Sequence, residues 1–321
     1  MLKHLLHLAA AAMLSGHTLA QQFPLKPVKV ILAAPAGAGP DIVMRLVGEK
    51  LAQAWGQQVL IENRPGAQGW IAYETAKKQP ADGYTLVQIP NDHASLHPLL
   101  FKSLPIDYAK DFEAVAGLYS AHFFIVVASN STWNNVGDLI ASAKVKPGSL
   151  NYGSWGTGTV GHLAGSLLER AAGIKMTHVV FKDLSQLYVG VGNGELHWAM
   201  GTVASTGPLH RAKKLKYLAI AAPERLAGFA DIPRVSESGG PGDFEIRAMM
   251  GLFAPRGVPS PILSFLSAGV GRALNEADVR GKLAGVGFTP FVSTGRELAD
   301  QYEADARRFS DVVRQQNITL D

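Results

Sequence analysis

The sequence contains no cysteine in its 321 residues. Disulfide bonds, thiolate ligands for a metal and a cysteine nucleophile are therefore excluded. Charge is also scarce, since charged residues make up 17% of the chain and the net charge is only +4. Nucleic-acid-binding proteins usually carry a larger or clustered positive charge, so this small excess does not indicate one. The fold must be stabilised by its apolar core alone, and no nucleic-acid partner is expected.

Long apolar segments are scarce too. The first 20 residues carry Lys3, an apolar stretch from Leu5 to Leu14 and small residues at Thr18 and Ala20, which is typical of a secretory signal peptide. That stretch is shorter than the roughly 20 residues that span a bilayer, and no later segment comes closer. We predict a signal peptide over residues 1–20, cleaved after Ala20, and a soluble exported chain. An uncleaved anchor is the alternative.

Removal of this leader leaves a mildly positive protein. Lys3 is its only Lys or Arg and it has no acidic residue, so 29 basic residues remain against 26 acidic ones, a net charge of +3. The basic run from Arg211 to Lys216 is interpreted as a solvated helix end. A weak positive charge helps to attract an anion.

Short β-branched runs alternate with longer helical segments along the rest of the chain. Val28 to Leu32, a helix from about Asp41 to Trp55, and Val59 to Glu62 form a βαβ unit. A helix around Trp70 to Lys78 and a strand from Tyr84 to Ile89 extend it. The first part of the chain is therefore predicted to be a doubly wound, mainly parallel α/β sheet.

A second set of elements follows the run from Phe123 to Ala128, which is apolar throughout, as in a strand buried on both faces. A second apolar run, Met249 to Ala254, precedes three helical segments. We predict two α/β lobes joined by two crossover strands, which can close on a ligand: lobe 1 from 21–124 and 252–321, and lobe 2 from 125–251. The elements expected in lobe 2 are helices at Val136–Ala143, His162–Ala172 and up to Val191, and strands at Leu150–Tyr152, His178–Phe181, Leu196–Met200 and Leu215–Ala221.

Two glycine-rich loops follow predicted strands, and the first runs from Pro35 to Asp41. Gly37, Ala38 and Gly39 allow the backbone to approach a ligand closely, and the helix start offers N–H groups to an anion. Asp41 suits the first helical turn. A plain strand-to-helix turn is the alternative. The position favours a ligand site, because ligands of open α/β sheets bind at the carboxyl ends of the strands.

The second loop lies within Asn151 to His162 and contains a GxGxxG pattern between a strand and a helix. A dinucleotide site is disfavoured, because the acid that ends the next predicted strand, Asp183, lies farther on than the usual distance of about 20 residues. A carboxylate held by Ser154, Thr157, Thr159 and backbone N–H groups explains the loop better. The GxSxG spacing of a nucleophile elbow is absent around Ser154.

Several other side chains near these loops invite a functional interpretation. Trp155 forms either an aromatic wall for the ligand or ordinary packing. His162 either orients the second loop or packs there, and a role as a base is less favoured. His93 and His97 are spaced like metal ligands on a helix, but Pro98 argues against a continuous helix, so no metal is predicted.

In its motifs and their order, the chain resembles the Bug-type periplasmic receptors of tripartite tricarboxylate transporters. The resemblance runs from the leader nearly to the C-terminus. The segments that carry it are Lys26-Pro27-Val28, Gly39-Pro40-Asp41, Glu62-Asn63-Arg64-Pro65-Gly66-Ala67, Pro80-Ala81-Asp82-Gly83-Tyr84-Thr85-Leu86, Lys110-Asp111-Phe112, Lys146-Pro147-Gly148, Asn151-Tyr152-Gly153-Ser154, Gly158-Thr159, His162-Leu163-Ala164-Gly165 and Gly251-Leu252-Phe253-Ala254-Pro255.

This resemblance implies a two-lobed periplasmic binding protein of type II-like fold. It also implies a small mono-, di- or tricarboxylate, amino acid or aromatic acid as ligand, bound largely through the glycine loops and without an essential arginine. Arg64 is accordingly interpreted as a structural tether. The implied partners are membrane transporter subunits, and the protein is expected to be a periplasmic monomer without cofactor or catalytic residues.

Three positions depart from the family pattern. Pro40 replaces the usual Thr or Ser, Asp183 follows Phe181-Lys182 where Gly is usual, and His197 stands where an Asp is usual. These changes predict a reshaped pocket and put a plain dicarboxylate in doubt. The predicted ligand-binding residues are Gly37, Ala38, Gly39, Asp41, Asn91, Ser154, Trp155, Gly156, Thr157, Gly158, Thr159, His162, Asp183 and Thr202.

Two other functions stay open on the sequence. A secreted enzyme on the same scaffold would need a nucleophile with a base, or paired carboxylates, and local spacing supplies neither. A ligand sensor for a membrane signalling partner would use the same binding chemistry. A solute-binding receptor is the hypothesis that the residues favour.

Overall fold

The computed structural model describes residues 23–181, 183–226 and 228–315. The predicted signal peptide, its cleavage site and Lys182 lie outside these residues. Within the described ranges, no helix has both the length and the apolar character needed to cross a membrane.

The described residues form β-strands of three to eleven residues. They are β1 (Val28–Leu32), β2 (Val59–Asn63), β3 (Thr85–Pro90), β4 (Phe112–His122), β5 (Phe124–Ala128), β6 (Asn151–Ser154), β7 (Thr177–Val180), β8 (Trp198–Gly201), β9 (Leu215–Ile220), β10 (Arg247–Pro255) and β11 (Phe288–Pro290).

Helices connect most of these strands. They are α1 (Gly39–Trp55), α2 (Trp70–Lys77), α3 (Asn91–Leu100), α4 (Tyr108–Asp111), α5 (Val136–Val145), α6 (Val160–Ala172), α7 (Leu184–Asn193), α8 (Val203–Arg211), α9 (Ser260–Asn275), α10 (Ala277–Gly285) and α11 (Gly295–Gln315). Several boundaries follow from local chemistry. Pro40 fits the first turn of α1, and Gly56 ends that helix in a left-handed conformation that glycine adopts easily.

The strands form two sheets with the orders β11-β4-β10-β3-β1-β2 and β7-β6-β8-β5-β9. In the first sheet β1 pairs in parallel with β2 and β3, whereas β10 runs antiparallel between β3 and β4. In the second sheet β6 pairs in parallel with β7 and β8, whereas β5 runs antiparallel between β8 and β9. The predicted α/β fold of two lobes is therefore confirmed, with mixed sheets in which most strands share one direction.

The chain passes between the two sheets at Phe123 and at Ile246. Phe123 N donates to Ile246 O at 3.4 Å, Ile246 N donates to Ala221 O at 2.9 Å, and Ala221 N donates to Phe123 O at 2.8 Å. The apolar run Met249 to Ala254 does not itself cross, because it lies inside β10 between β3 and β4. The lobe boundaries at 124/125 and 251/252 stay a prediction.

The sequence analysis missed β4 and α8, and it was wrong about Pro98. The helix α3 runs continuously through Pro98 to Leu100, and Phe101 N donates to His97 O at 3.0 Å. Pro98 lies close to the end of this helix, so its missing N–H removes only one late hydrogen bond. His93 and His97 therefore do share a helix face, and their rings stack with centroids 4.3 Å apart.

Apolar clusters cover both faces of each sheet, and a further cluster joins the two lobes. In this interlobe cluster Leu96 and Leu100 of α3 and Phe309 and Val313 of α11 pack with Leu163 of α6. The long helix α11 thus contacts elements of both lobes. This contact brings α3 and the start of α6 to the same place, which is where the candidate site lies.

The packing of α6 on β6 depends on Gly165. A Cβ at this position would overlap the ring of Tyr152, which is buried between Trp198 and His178 at centroid distances of 5.3 Å and 5.1 Å and cannot move aside. We expect Gly165→Ala to lower the free energy of unfolding by about 1–3 kcal/mol through overpacking.

The control is Gly281→Ala in the exposed interior of α10, where a Cβ meets open space. This change should raise the free energy of unfolding by about 0.5–1 kcal/mol, because glycine disfavours the helix. Urea denaturation of both variants measures the difference. Equal stabilities for the two variants would contradict the packing described here.

Candidate functional site

A cavity of about 360 Å³ lies where the two lobes meet. One wall comes from the second glycine loop, Trp155 to Thr159, and the other from the first lobe. The lining residues are Gln68, Asp92, His93, His97, Leu100, Trp155, Gly156, Thr157, Gly158 and Thr159. Five of the predicted ligand-binding residues therefore share one cavity, and the first glycine loop does not line it.

The second loop is held by its own hydrogen bonds. The hydroxyl of Ser154 donates to Gly156 O at 2.9 Å and accepts from Gly156 N at 3.3 Å, and the hydroxyl of Thr159 donates to Gly156 O at 2.7 Å. Ser154 is fully buried. These two hydroxyls, expected from the sequence to face a ligand, instead fix the loop, and Thr157 is its exposed residue.

Two histidines support this loop from behind. His162 accepts from Gly158 N through Nδ1 at 3.0 Å, so this nitrogen carries no proton. The ring of His178 stacks on that of His162 with centroids 4.0 Å apart, and its Nε2 lies 2.7 Å from the hydroxyl oxygen of Ser154. Burial lowers the pKa of both histidines, that of His178 to about 4. His162 thus has the orienting position that the sequence suggested.

The Ser154 and His178 contact does not form a nucleophile and base. The hydroxyl of Ser154 contacts Gly156 O at 2.9 Å as well as His178 Nε2 at 2.7 Å, so it is engaged in holding the loop. The serine oxygen also has no exposure to a substrate. This geometry orders the loop and offers no route to acyl transfer.

Trp155 both packs and lines the cavity. Its ring stacks on Phe123 with centroids 5.8 Å apart, and it covers Gly161 in the first turn of α6, where a Cβ would lie only 2.7 Å from the indole. The sequence left two interpretations of Trp155 open, an aromatic wall for the ligand and ordinary packing. The structure shows that the side chain does both. Phe123 is the residue at which the chain crosses between sheets, so the loop is anchored at that crossing.

The first-lobe wall is built by α3, which the sequence analysis had discounted. His93 Nδ1 lies 2.6 Å from the Tyr73 hydroxyl, and His97 Nδ1 lies 3.1 Å from the Tyr108 hydroxyl. Burial lowers the pKa of His93 to about 4 and that of His97 to about 3, the latter lowered further by His93. Both imidazoles are therefore neutral at neutral pH.

Gln68 completes this wall in a strained backbone conformation. Its φ is 52°, in the left-handed region that a non-glycine residue rarely adopts, and Ala67 beside it has φ 45°. In the sequence, the positive φ angles of Ala67 and Gln68 are indicated only by the glycines on either side of them, Gly66 and Gly69.

The first glycine loop is organised around Asp41. Gly37 N donates to this carboxylate at 2.9 Å, Asn63 Nδ2 at 2.9 Å and Arg45 Nε at 3.0 Å. Burial alone would raise the pKa of Asp41, but these hydrogen bonds hold it below its ordinary value. Asp41 and Gly37 are thus engaged with each other. The amide of Gly39, in the first turn of α1, has no intrahelical acceptor.

The remaining predicted residues make contacts within the protein. Asn91 is buried, with its amide donating to Asp305 at 2.8 Å and its oxygen accepting from Met249 N at 2.9 Å. Asp183 is exposed and caps α7 through Gln186 N at 2.9 Å, and Thr202 caps α8 through Ser205 N at 3.3 Å. The structure does not bring these three side chains into the cavity.

Two further sequence interpretations concern His197 and Arg64. His197 pairs with Asn151, the first residue of β6, with its Nδ1 2.6 Å from the amide oxygen. It therefore lies at the end of β6 opposite the glycine loop, and this departure does not reshape the cavity. Arg64 is exposed and pairs with Glu62, two residues earlier in the chain, so this ion pair does not connect separate elements as a tether would.

Metal chemistry finds no support among the residues that the structure describes. There, no group of three or more His, Asp or Glu side chains is arranged to hold a metal ion. On the second-lobe side, the site combines one exposed threonine, Thr157, with the N-terminus of α6, and both favour an anionic group.

The family model described as the tripartite tricarboxylate transporter family receptor matches residues 43–318. A UPF0065 protein of Bordetella bronchiseptica is 30% identical over 286 residues, which cover 89% of this chain and 82% of that protein. Protein BugT of Bordetella pertussis is 25% identical over 316 residues, which cover 97% of this chain and 95% of BugT.

Two solved structures resemble the whole fold. An R. palustris protein with adipate superposes with a TM-score of 0.82 at 27% identity, covering 92% of this chain and 99% of that one. MatC from Rhodopseudomonas palustris with bound malate superposes with a TM-score of 0.76 at 29% identity, covering 91% of this chain and 100% of MatC.

The histidine behind the second loop predicts a pH dependence. The folded protein protonates His178 near pH 4, whereas the unfolded chain does so near pH 6.5, so unfolding takes up a proton between these values. The free energy of unfolding should therefore fall as the pH falls from about 6.5 to about 4. In His178→Gln, which keeps a polar group near Ser154 but cannot titrate, the fall should be shallower.

Chemical denaturation of both proteins at several pH values between 7 and 4 checks this prediction. Parallel curves for the wild type and His178→Gln would contradict it.

Proposed function

Because this chain belongs to the receptor family of tripartite tricarboxylate transporters, a family of solute-binding receptors and not of enzymes, we propose that it delivers a small carboxylate to such a transporter. In this proposal the protein acts in the periplasm as a monomer, after removal of residues 1–20. It captures the solute between its two lobes and presents it to the membrane subunits.

The observation that supports this function is the cavity of about 360 Å³ shared by both lobes, with a rigid glycine loop as one wall. Its volume lies in the range of pockets for small organic molecules. The loop polar groups already have internal partners at Ser154 and Thr159, so the loop needs no rearrangement when a ligand enters. A preordered loop reduces the entropy lost on binding.

We assign the ligand carboxylate to Thr157 and to the first-turn amides of α6. Thr157 is the exposed residue of the loop and lines the cavity, and the helix that begins at Val160 is 13 residues long. A helix N-terminus favours a negative charge, and its first amides have no intrahelical acceptor. The hydroxyls of Ser154 and Thr159 act indirectly, by holding the loop in shape.

The first glycine loop is proposed as the second contact when the lobes approach each other further. Its available group is the amide of Gly39 at the start of α1, since Gly37 N is engaged by Asp41. The ligands seen in relatives, adipate and malate, are both carboxylates and agree with this class of solute.

A thermal-shift screen of mono-, di- and tricarboxylates, amino acids and aromatic acids tests this function. A ligand present at 100 times its dissociation constant stabilises the folded state by about 2.7 kcal/mol, which gives a measurable rise in melting temperature. Neutral sugars and alkylamines of similar size serve as controls. Stabilisation by these controls alone, with none from any carboxylate, would contradict the proposal.

The role of the loop is tested by Gly158→Ala with Gly148→Ala as a matched control. Both glycines lie in turns of the second lobe with positive φ, 76° and 79°, so an added Cβ imposes similar backbone strain of about 1–2 kcal/mol at each. Only Gly158 lines the cavity and donates to His162.

Gly158→Ala should therefore displace the loop backbone and the neighbouring Thr157, and weaken binding of a carboxylate found in the screen by about tenfold or more, as expected if the contact of Thr157 with the carboxylate is lost. Gly148→Ala should leave the dissociation constant unchanged. Calorimetric titration of both variants measures this, and equal affinities for the two would mean that the loop does not hold the ligand.

A further inference from the structure

Among the described residues that line the interlobe cavity, Asp92 is the only acidic one, and none is a lysine or an arginine. It lies in the first turn of α3, half-buried, and its described hydrogen bonds come from backbone N–H groups, among them His93 N at 3.0 Å. A carboxylate removed from water is unfavourable unless a cation or hydrogen-bond donors compensate it. No described residue of the cavity walls therefore offers this side chain a lysine or arginine partner.

The neighbouring histidines do not supply the missing positive charge. His93 and His97 lie on the same helix, each with Nδ1 in contact with a buried tyrosine hydroxyl. Both titrate far below neutral pH, because burial disfavours their charged forms. The same burial raises the pKa of Asp92, and the attraction to His97 and the backbone hydrogen bonds oppose this rise without cancelling it.

The two walls of the cavity thus have opposite preferences. The second-lobe wall, from Trp155 to Thr159, presents the exposed Thr157 together with the positive end of α6. The first-lobe wall presents the Asp92 acceptor between neutral rings. A ligand with carboxylates at both ends would place one of them against Asp92, where like charges repel.

We infer that the cavity selects a zwitterionic solute, whose carboxylate meets the second glycine loop and whose ammonium or protonated ring nitrogen is bound by Asp92. This inference rests on the proposed function and narrows its ligand class from carboxylates in general to amino acids and their analogues. Asp92 is then the residue that determines specificity, and its preference is directed against plain dicarboxylates. The pairing also removes the energetic penalty of an unpaired Asp92.

The test uses three chains of equal length that differ at one end. They are 5-aminopentanoate, which ends in an ammonium, hexanoate, which ends in a methyl group, and adipate, which ends in a second carboxylate. L-phenylalanine and 3-phenylpropanoate form a second pair that differs only in an α-ammonium group. Calorimetric titration and melting temperatures of the wild type with each probe give the ranking directly.

We expect each ammonium-bearing probe to bind at least about tenfold more tightly than its partner without nitrogen, with adipate weakest among the three chains. Asp92→Asn keeps the size of the side chain and removes its charge, so it should abolish this ranking and bind adipate more tightly than the wild type does. Asp243→Asn, at an exposed carboxylate outside the cavity, should keep the wild-type ranking.

The outcomes separate the two proposals. If hexanoate or adipate binds the wild type as tightly as 5-aminopentanoate, or if Asp92→Asn leaves the ranking unchanged, the inference is overturned while the carboxylate receptor stands. If none of the five probes binds and the wider carboxylate screen is also negative, both proposals fail. The wild-type ranking decides the inference even if Asp92→Asn does not fold.

Discussion

The backbone of Phe123 is where both passages of the chain between the lobes meet, through its hydrogen bonds to Ile246 and Ala221. This pairing fixes which edges of the two sheets face each other, and so it fixes where a cavity can form. The ring of Phe123 also carries Trp155, the first residue of the glycine loop that lines that cavity. The connection between the lobes and the wall of the site are therefore one packed unit.

Each glycine loop solves the same physical problem, which is to hold irregular backbone in place without a large core. In the first loop the buried carboxylate of Asp41 collects donors from Gly37, Arg45 and Asn63. In the second, the hydroxyls of Ser154 and Thr159 converge on Gly156 O, with His178 behind. The polar side chains of both loops thus act mainly to hold the loop backbone in shape.

Sequence patterns predicted much of this fold because strand and helix periods are local. The alternation from Val28 to Ile89 and the glycine loops after β1 and β6 were recognisable, and the family motifs supplied the two-lobed architecture. The strand β4 was not recognisable from the sequence, because the segment from Phe112 to His122 mixes small, polar and apolar residues without a clear period.

The errors at the site have a different origin. Asn63 lies 22 residues from Asp41, and no local spacing reveals that its amide reaches that carboxylate. The wall formed by Asp92, His93 and His97 was missed because Pro98 was given too much weight as a helix breaker. The positive φ at Gln68 is imposed by the tertiary structure, and a glutamine at this position does not indicate it.

The interlobe cluster has a thermodynamic consequence of its own. Leu96, Leu163 and Phe309 are each buried to at least 96% where α3, α6 and α11 meet, so any separation of the lobes hydrates apolar surface. Hydration of apolar surface raises the heat capacity. Opening of this receptor therefore has an enthalpy that changes with temperature, and the heat measured on ligand capture includes that contribution as well as the contacts of the solute.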